Sequence, residues 1–163
     1  MTRVYLSIGS NIDRDINLRS CVRQIKEKYR RLTLSSVYQT RAIGFEGDDF
    51  YNMAIGFDST LTVEDIHGAL RKIESAHGRR RDADKLRPRP LDIDLLLFGN
   101  LVRHRDNLDI PRGEILSYAF VLLPLSEIAA GLIHPETGQA IGEIWRAFDA
   151  GDQPVRKIGF DFE

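Results

Sequence analysis

The amino-acid sequence predicts an α+β sandwich in which helices pack on one face of a mainly antiparallel sheet. Candidate strands and helices alternate only loosely, and several connections are too short for a crossover helix, which favours antiparallel pairing. The length of 163 residues is typical of one domain, so a single domain over residues 1–163 is expected. A hydrophobic content of 42% and a charged content of 29% are those of a globular chain rather than a disordered or fibrous one.

The first half of the chain contains extended segments and two candidate helices. Apolar residues recur at spacings of three and four over residues 13–30, which is typical of an amphipathic helix. A second helix should begin at Thr62, because Thr62 and Asp65 have the spacing of a capping box, and it should end at Gly78. Candidate strands cover residues 3–8, 33–38 and 50–57.

The second half of the chain is dominated by its most apolar stretch, residues 91–98. We expect this stretch to be a buried central strand, followed by a tight turn at Gly99 and Asn100. Residues 101–110 are a weaker candidate for a returning strand. Residues 119–130 are apolar with Pro124 inside, and residues 140–148 have a helical pattern.

Charge is nearly balanced over the chain but concentrated locally. The 23 basic and 24 acidic residues leave a net charge of −1, which argues against a nucleic-acid binder with a basic surface all over. Residues 79–89 alone contain six basic and two acidic residues. Pro88 and Pro90 forbid a helix at the end of this segment, so it is predicted to be a basic loop.

Two aspartates open the apolar strand directly after the basic loop. In a strand Asp92 and Asp94 project from the same face, roughly 6 to 7 Å apart. Two carboxylates so close raise each other's pKa unless a positive charge lies between them, and Mg²⁺ is a suitable one. The alternative is a pair of aspartates at the solvated end of a strand.

Arginines of the basic loop suit the same interpretation. Arg79, Arg81 and Arg89 precede the aspartate pair, and guanidinium groups beside a metal-binding pair are the arrangement that polyphosphate chemistry requires. A solvated basic loop and an RNA-binding loop are the alternatives. The second is disfavoured because an acidic pair at the foot of the loop repels phosphate unless a metal is present.

Other site classes find no support in the sequence. The single cysteine, Cys21, excludes an internal disulfide and a thiolate metal cluster, and fits a cytoplasmic location. The amino terminus lacks the pattern of a signal peptide, and no apolar run reaches the length of a membrane span. The glycine after the first strand has no Walker-type Lys-Ser/Thr ending. Four scattered histidines are interpreted as surface or packing residues, namely His67, His77, His104 and His134.

Several short motifs spread over the chain occur together in one known family. The most specific is Pro88-Arg89-Pro90-Leu91-Asp92-Ile93-Asp94, and the others include Ile8-Gly9-Ser10-Asn11, Phe50-Tyr51-Asn52 and Ala119-Phe120-Val121-Leu122-Leu123-Pro124. With these motifs the chain resembles the 6-hydroxymethyl-7,8-dihydropterin pyrophosphokinase family up to about residue 133. The resemblance implies a ferredoxin-like two-layer α+β sandwich. It also implies transfer of pyrophosphate from ATP to the hydroxymethyl group of the dihydropterin, with release of AMP, in folate biosynthesis.

The resemblance implies roles for residues of the ATP site. Two Mg²⁺ ions would be bound by Asp92 and Asp94. ATP, the co-substrate, would be contacted by Glu74, Arg79, Arg81, Leu95 and Arg112, and the catalytic arginines would be Arg79, Arg81 and Arg89.

The pterin site is implied in the same way. The pterin ring would stack between Phe50 and Phe120, and Asn52 would bind its amide edge. Thr40 and Ile43 would line the pocket. Without the resemblance, core packing would be the preferred interpretation of the two phenylalanines.

The sequence departs from the family pattern at four positions. Arg112 stands where histidine is usual and Tyr118 where arginine is usual, and both positions contact ATP phosphates in the family. Arg71 replaces a common glutamine, and Leu86 replaces a tryptophan in the basic loop. These departures leave open a divergent paralogue that binds pterin or nucleotide with weak or altered activity. Small-molecule substrates, no nucleic acid, no membrane and a monomeric state are expected.

Overall fold

The computed structural model describes residues 1–42, 47–78 and 90–162. The strands are β1 (Thr2–Ser10), β2 (Thr33–Leu34), β3 (Val37–Thr40), β4 (Phe50–Ser59), β5 (Asp92–Phe98), β6 (Arg103–Arg105), β7 (Leu108–Ile110) and β8 (Arg156–Ile158). The helices are α1 (Arg14–Tyr29), α2 (Val63–Ala76), α3 (Glu114–Ser117), α4 (Ala119–Ala129) and α5 (Ile141–Ala147). None of the helices in these ranges is long and apolar enough to cross a membrane.

The main sheet has the strand order β5-β1-β4-β3-β8, and β2 also pairs with β4. Its strand pairs are antiparallel, and β6 and β7 form a separate antiparallel hairpin. The α+β class with helices packed on a mainly antiparallel sheet is therefore confirmed.

The strand β5 lies at the edge of the described sheet, so the prediction of a central strand was wrong. Its apolar sequence reflects burial on both faces rather than neighbours on both sides. The register between β1 and β5 shifts between Tyr5 and Leu6. Leu95 accordingly packs in one hydrophobic core, and Leu96 and Leu97 pack in the other.

Helices cover both faces of the sheet, whereas the sequence predicted one. On the first face α1 and α2 pack against the even-numbered residues of β1, and this aliphatic core includes Leu6, Leu18 and Ile66. On the second face α3, α4 and α5 pack against a smaller core around Leu122 and Leu125. The reason is that α4 is apolar around most of its circumference and must be buried as well.

The sequence signals for turns and caps are largely confirmed. Thr62 caps α2, since its Oγ1 accepts a hydrogen bond of 3.1 Å from the backbone N–H of Asp65. Gly78 follows this helix with φ at 87°, a conformation that glycine adopts without strain. Gly99 has φ at 52°, and a 3.0 Å hydrogen bond from Leu101 N to Phe98 O closes the predicted turn.

Candidate active site

Polar side chains collect on one part of the second face of the sheet. In the register of the sheet, Gly9 of β1 pairs with Asn52 of β4 on one side and with Asp92 of β5 on the other. Thr40 pairs with Phe50, two residues before Asn52. Directly paired residues of antiparallel strands share a face, as do residues two apart on one strand. We call this surface the polar face, defined by Gly9, Thr40, Phe50, Asn52, Asp92 and Asp94.

The two aspartates lie on the polar face as the period-two spacing predicts. Asp92 and Asp94 are half-buried, and Ile93 between them is 3% exposed and belongs to the aliphatic core on the other side. Carboxylate oxygens are the ligands that Mg²⁺ prefers, and Mg²⁺ keeps several positions for water and phosphate oxygens. In the described ranges no cluster of three or more His, Cys, Asp or Glu side chains forms a ready-made metal site. The half-buried pair of carboxylates offers hard oxygen ligands of this kind.

Arg112 places a fixed positive charge beside this pair. Its Nη1 lies 3.7 Å from Oδ1 of Asp94. Its Nη2 and Nε donate to the two carboxylate oxygens of Glu114, at 2.7 and 3.2 Å. The guanidinium is thus oriented by a bidentate contact on one side and faces the aspartate on the other.

Glu74 reaches the same strand from beneath the sheet. Its carboxylate is 1% exposed, and its Oε2 accepts a 2.8 Å hydrogen bond from the backbone N–H of Ile93. The pKa of Glu74 is raised to about 8, mainly by burial and also by the charges of Asp92 and Asp94, against the lowering effects of the Ile93 hydrogen bond and Arg71. Glu74 therefore ties α2 to the segment of β5 that carries the aspartates.

A cleft lies next to Asp94, between α2, β5 and β7. Leu95, Arg112 and Arg71 line it together with His67 and residues 107–110. The His67 ring nitrogen Nε2 lies 3.2 Å from both Nε and Nη2 of Arg71. Burial, together with Arg71 and Arg112, lowers the pKa of His67, which keeps the ring neutral and able to accept from Arg71.

His67 is a cleft residue that the sequence interpretation missed. A signal for it was present, because His67, Arg71 and Glu74 are spaced four and three apart and so share one side of α2. The interpretation of His67 as a surface or packing residue rests on the scatter of the four histidines along the sequence.

Asn52 and Thr40 form a hydrogen-bonded pair on the polar face. The Asn52 side chain is buried, and its Nδ2 donates to Thr40 Oγ1 at 2.8 Å. Gly9 leaves room for this arrangement, since a Cβ at that position would lie 3.0 Å from Oδ1 of Asn52. The pair therefore presents fixed amide and hydroxyl groups beside Phe50.

The second predicted stacking residue, Phe120, lies in the first turn of α4. It is half-buried, and its ring stacks on that of Tyr118 with 5.1 Å between the centroids and 28° between the planes. Tyr118, the residue that stands in place of an arginine, is 38% exposed. At position 118, where the family pattern has an arginine, this chain therefore has an aromatic residue that stacks on Phe120.

Four predicted site residues lie outside the described residues. These are Ile43 of the pterin pocket and the arginines Arg79, Arg81 and Arg89. Of the other nine predicted residues, Glu74 lies beneath β5, Phe120 lies in the first turn of α4, and seven fall into two neighbouring groups. The polar face carries Thr40, Phe50, Asn52, Asp92 and Asp94, and Leu95 and Arg112 line the cleft beside it.

Comparison with known proteins decides the family. The sequence model of the 7,8-dihydro-6-hydroxymethylpterin-pyrophosphokinase family matches residues 5–130. This chain belongs to that family. The resemblance identified from the sequence motifs is thereby confirmed.

Relatives of comparable length support the assignment to the pyrophosphokinase family. The 2-amino-4-hydroxy-6-hydroxymethyldihydropteridine pyrophosphokinase of Bacillus subtilis is 31% identical over 160 residues, covering 93% of this chain and 95% of its own. The enzyme of the same name from Haemophilus influenzae is 30% identical over 91% of this chain and 94% of its own.

Some pyrophosphokinase relatives are much longer than this chain. The folic acid synthesis protein fol1 of Pneumocystis carinii is 32% identical over 93% of this chain, but the chain spans only 21% of its length. A solved HPPK-DHPS structure in complex with substrates has a TM-score of 0.70 at 13% identity, covering 90% of this chain and 43% of its own. The structure of wild-type Plasmodium falciparum HPPK-DHPS with pteroate has a TM-score of 0.68 at 14% identity, covering 90% of this chain and 42% of its own. These structures support the fold.

Proposed function

We propose that this chain transfers the β,γ-pyrophosphoryl group of ATP to the hydroxymethyl oxygen of 6-hydroxymethyl-7,8-dihydropterin, as a step of folate biosynthesis. The hydroxymethyl oxygen forms a bond to the β-phosphorus, the bond from that phosphorus to the oxygen shared with the α-phosphorus breaks, and AMP leaves. The hydroxyl proton passes to solvent. The observation that carries the proposal is the polar face, where Gly9 lies between the Asn52–Thr40 pair and Asp92.

Asp92 and Asp94 are proposed to hold Mg²⁺, two ions when ATP is bound. Their hard oxygen donors and partial exposure support this role. When bound, Mg²⁺ supplies neutralisation of phosphate charge and alignment of the phosphoryl groups. The guanidinium of Arg112, 3.7 Å from Asp94, places a positive charge beside the pair.

The cleft beside Asp94 is proposed to receive ATP. Leu95 offers an apolar contact for the adenine, and Arg112 offers charge near the phosphates. Glu74 acts from within the protein, by fixing the backbone of β5 at Ile93. The arginines Arg79, Arg81 and Arg89 are proposed to bind the phosphates and to stabilise the charge that develops during transfer.

The pterin is proposed to stack between Phe50 and Phe120. Asn52 would bind its amide edge, with the orientation of the amide set by Thr40 Oγ1. Thr40 and Ile43 would line the pocket. A flat heterocycle requires stacking surfaces and a few fixed polar groups, which these residues supply.

A second candidate is a divergent family member that binds the same ligands with low turnover. The observation in its favour is that Glu114 engages Arg112 through two hydrogen bonds, while Tyr118 supplies no charge at all. The double substitution Tyr118→Arg with Arg112→His restores the usual family residues and is expected to tighten ATP binding. Unchanged ATP affinity would mean that the two positions have lost that role.

One assay separates the two candidates. Purified protein is incubated with ATP and Mg²⁺, with and without 6-hydroxymethyl-7,8-dihydropterin, and AMP is measured. AMP that forms only with the pterin supports the first candidate, and pterin binding without AMP supports the second. Absence of both binding and AMP contradicts both. A monomeric state and a cytoplasmic location stay predictions from the sequence.

A further inference from the structure

The helix α4, which carries Phe120, is capped by a residue far along the chain. Tyr118 occupies the cap position but its side chain makes no capping hydrogen bond. Instead, Oε1 of Gln153 accepts from the backbone N–H of Ala119 at 2.9 Å. The first N–H groups of a helix have no partner within the helix, so this contact satisfies one of them from outside.

The same side chain also holds the end of the preceding helix. Nε2 of Gln153 donates to the backbone carbonyl of Ser117 at 3.1 Å. One amide group therefore bridges the peptide groups on both sides of Tyr118. Because Tyr118 stacks on Phe120, the orientation of this aromatic pair is coupled to Gln153.

Gln153 is itself fixed by its neighbours in the chain. A turn precedes it, closed by a 2.9 Å hydrogen bond from Gln153 N to Ala150 O. Three residues later β8 begins and pairs with β3, the strand that ends at Thr40. Arg156 of β8 donates to Oε1 of Gln39 at 2.8 Å. The segment of residues 150–158 thus connects the strand bearing Thr40 to the helix bearing Phe120.

We propose that Gln153 is a positioning residue of the pterin site, which holds the Tyr118–Phe120 pair in the orientation that stacks on the pterin. This inference rests on the proposed function. Gln153 lies beyond residues 5–130, the part of the chain that matches the family model. The residue proposed to stack on the pterin together with Phe50 is in this way positioned by a part of the chain that the family model does not cover.

Two variants of Gln153 separate the contributions of its hydrogen bonds to Ala119 and Ser117. Gln153→Met keeps the length of the side chain and removes both bonds. Gln153→Glu keeps an acceptor for Ala119 N but loses the donor to Ser117 O and places a carboxylate beside that carbonyl. In either variant the Tyr118–Phe120 pair adopts several orientations. The apparent affinity for the pterin then falls in proportion to the fraction of molecules in the orientation that stacks on it.

The test measures binding of 6-hydroxymethyl-7,8-dihydropterin to the full chain without ATP, by its fluorescence, and steady-state kinetics with ATP and Mg²⁺. Gln153→Met is expected to raise the pterin Kd and KM about 3- to 10-fold and to leave the KM for ATP unchanged. Gln153→Glu is expected to give a smaller increase. Gln139→Met is the matched control, because Gln139 is an exposed glutamine whose side chain has no such contact among the described residues.

The outcomes distinguish this inference from the proposed function. A wild-type chain that neither binds the dihydropterin nor releases AMP in its presence overturns both. A wild-type chain that binds it, with an unchanged pterin Kd in folded Gln153→Met, overturns the positioning role alone. An equal rise in the KM for ATP and for pterin indicates a general structural role and also overturns it. If Gln153→Met does not fold, Gln153→Glu decides, with an unchanged pterin Kd again the contradicting result.

Discussion

The two faces of the sheet differ in how completely they are covered. On the aliphatic face, Val4, Leu6 and Ile8 of β1 are fully buried beneath α1 and α2. On the other face α4 covers only part of the sheet, because a helix of 11 residues is about 16 Å long. The polar face lies on this side of the sheet, where Asn52 is buried and Asp92 and Asp94 are half-buried. Alternate residues of the same strands therefore have different roles, since one set packs in the core and the other faces the proposed ligands.

Strand β5 shows this division within three residues. Asp92 and Asp94 face the proposed ligands, and Ile93 between them packs into the aliphatic core. Glu74 joins the two sides, since it lies under the sheet and binds the backbone of Ile93. Substitutions on this strand should therefore separate turnover from stability.

The largest effect is expected for the aspartates. Asp92→Asn or Asp94→Asn should lower kcat by at least about 100-fold, because each removes a charged metal ligand. Pterin affinity should stay close to that of the wild type, since Asn52, Thr40 and the stacking residues are unchanged. Turnover is measured as AMP release and pterin binding by fluorescence. Unaltered turnover in both variants would contradict the metal assignment.

Ile93, which lies between the two aspartates, should affect stability rather than turnover. Ile93→Ala is expected to lower the free energy of unfolding by about 2 to 5 kcal/mol, because it leaves a cavity in the aliphatic core. Below its melting temperature the variant should keep most of its kcat. Denaturant unfolding and AMP release measure the two quantities. Loss of activity with unchanged stability would contradict the assignment of one face of the sheet to packing and the other to ligand binding.

Two glycines allow a finer comparison on the same side of the sheet. In Gly9→Ala the new Cβ lies 3.0 Å from Asn52 Oδ1, so the pterin Kd should rise several-fold. In Gly56→Ala the new Cβ lies 2.8 Å from Tyr5 Cε1, away from the polar face, so stability should fall by about 1 to 3 kcal/mol instead. Each variant is measured for pterin binding and for unfolding. The same effect of both on pterin binding would refute the location of the site.

The smallest effect is expected at the hairpin of β6 and β7, whose second strand lines the cleft. Hydrogen bonds to Asp109 and then Glu136 raise the pKa of His104. Protonated His104 therefore stabilises the fold below about pH 6.5, and this stabilisation is lost as the pH rises through the higher folded-state value. The melting temperature of His104→Gln should show a weaker decrease over this range than that of the wild type. If the melting temperatures of the variant and the wild type change with pH in the same way, protonated His104 does not contribute to stability.

Local features of the fold and the site were predictable from the sequence. The spacing of Asp92 and Asp94 fixed their shared face because a strand has a period of two. The cap at Thr62 followed from its distance to Asp65 along the chain. These features depend on residues only a few positions apart.

Features that depend on distant residues were not predictable in this way. The position of β5 at the edge was missed because burial on both faces produces the same apolar sequence as a central strand. The contact of Gln153 with Ala119 joins residues 34 positions apart. The carboxylate of Glu127 accepts from Tyr38 Oη at 2.7 Å over a separation of 89, fastening α4 to β3. The period of a helix or strand relates residues only a few positions apart, so it cannot predict contacts over such separations.

The central claim is transfer of an intact pyrophosphoryl group, and ³¹P NMR of the products tests it most directly. The chain is incubated with ATP, Mg²⁺ and 6-hydroxymethyl-7,8-dihydropterin. The proposed function predicts AMP and a pterin ester with two coupled phosphorus resonances, in equal amounts. Formation of ADP with a singly phosphorylated pterin, or of AMP and free pyrophosphate without a pterin ester, would contradict it.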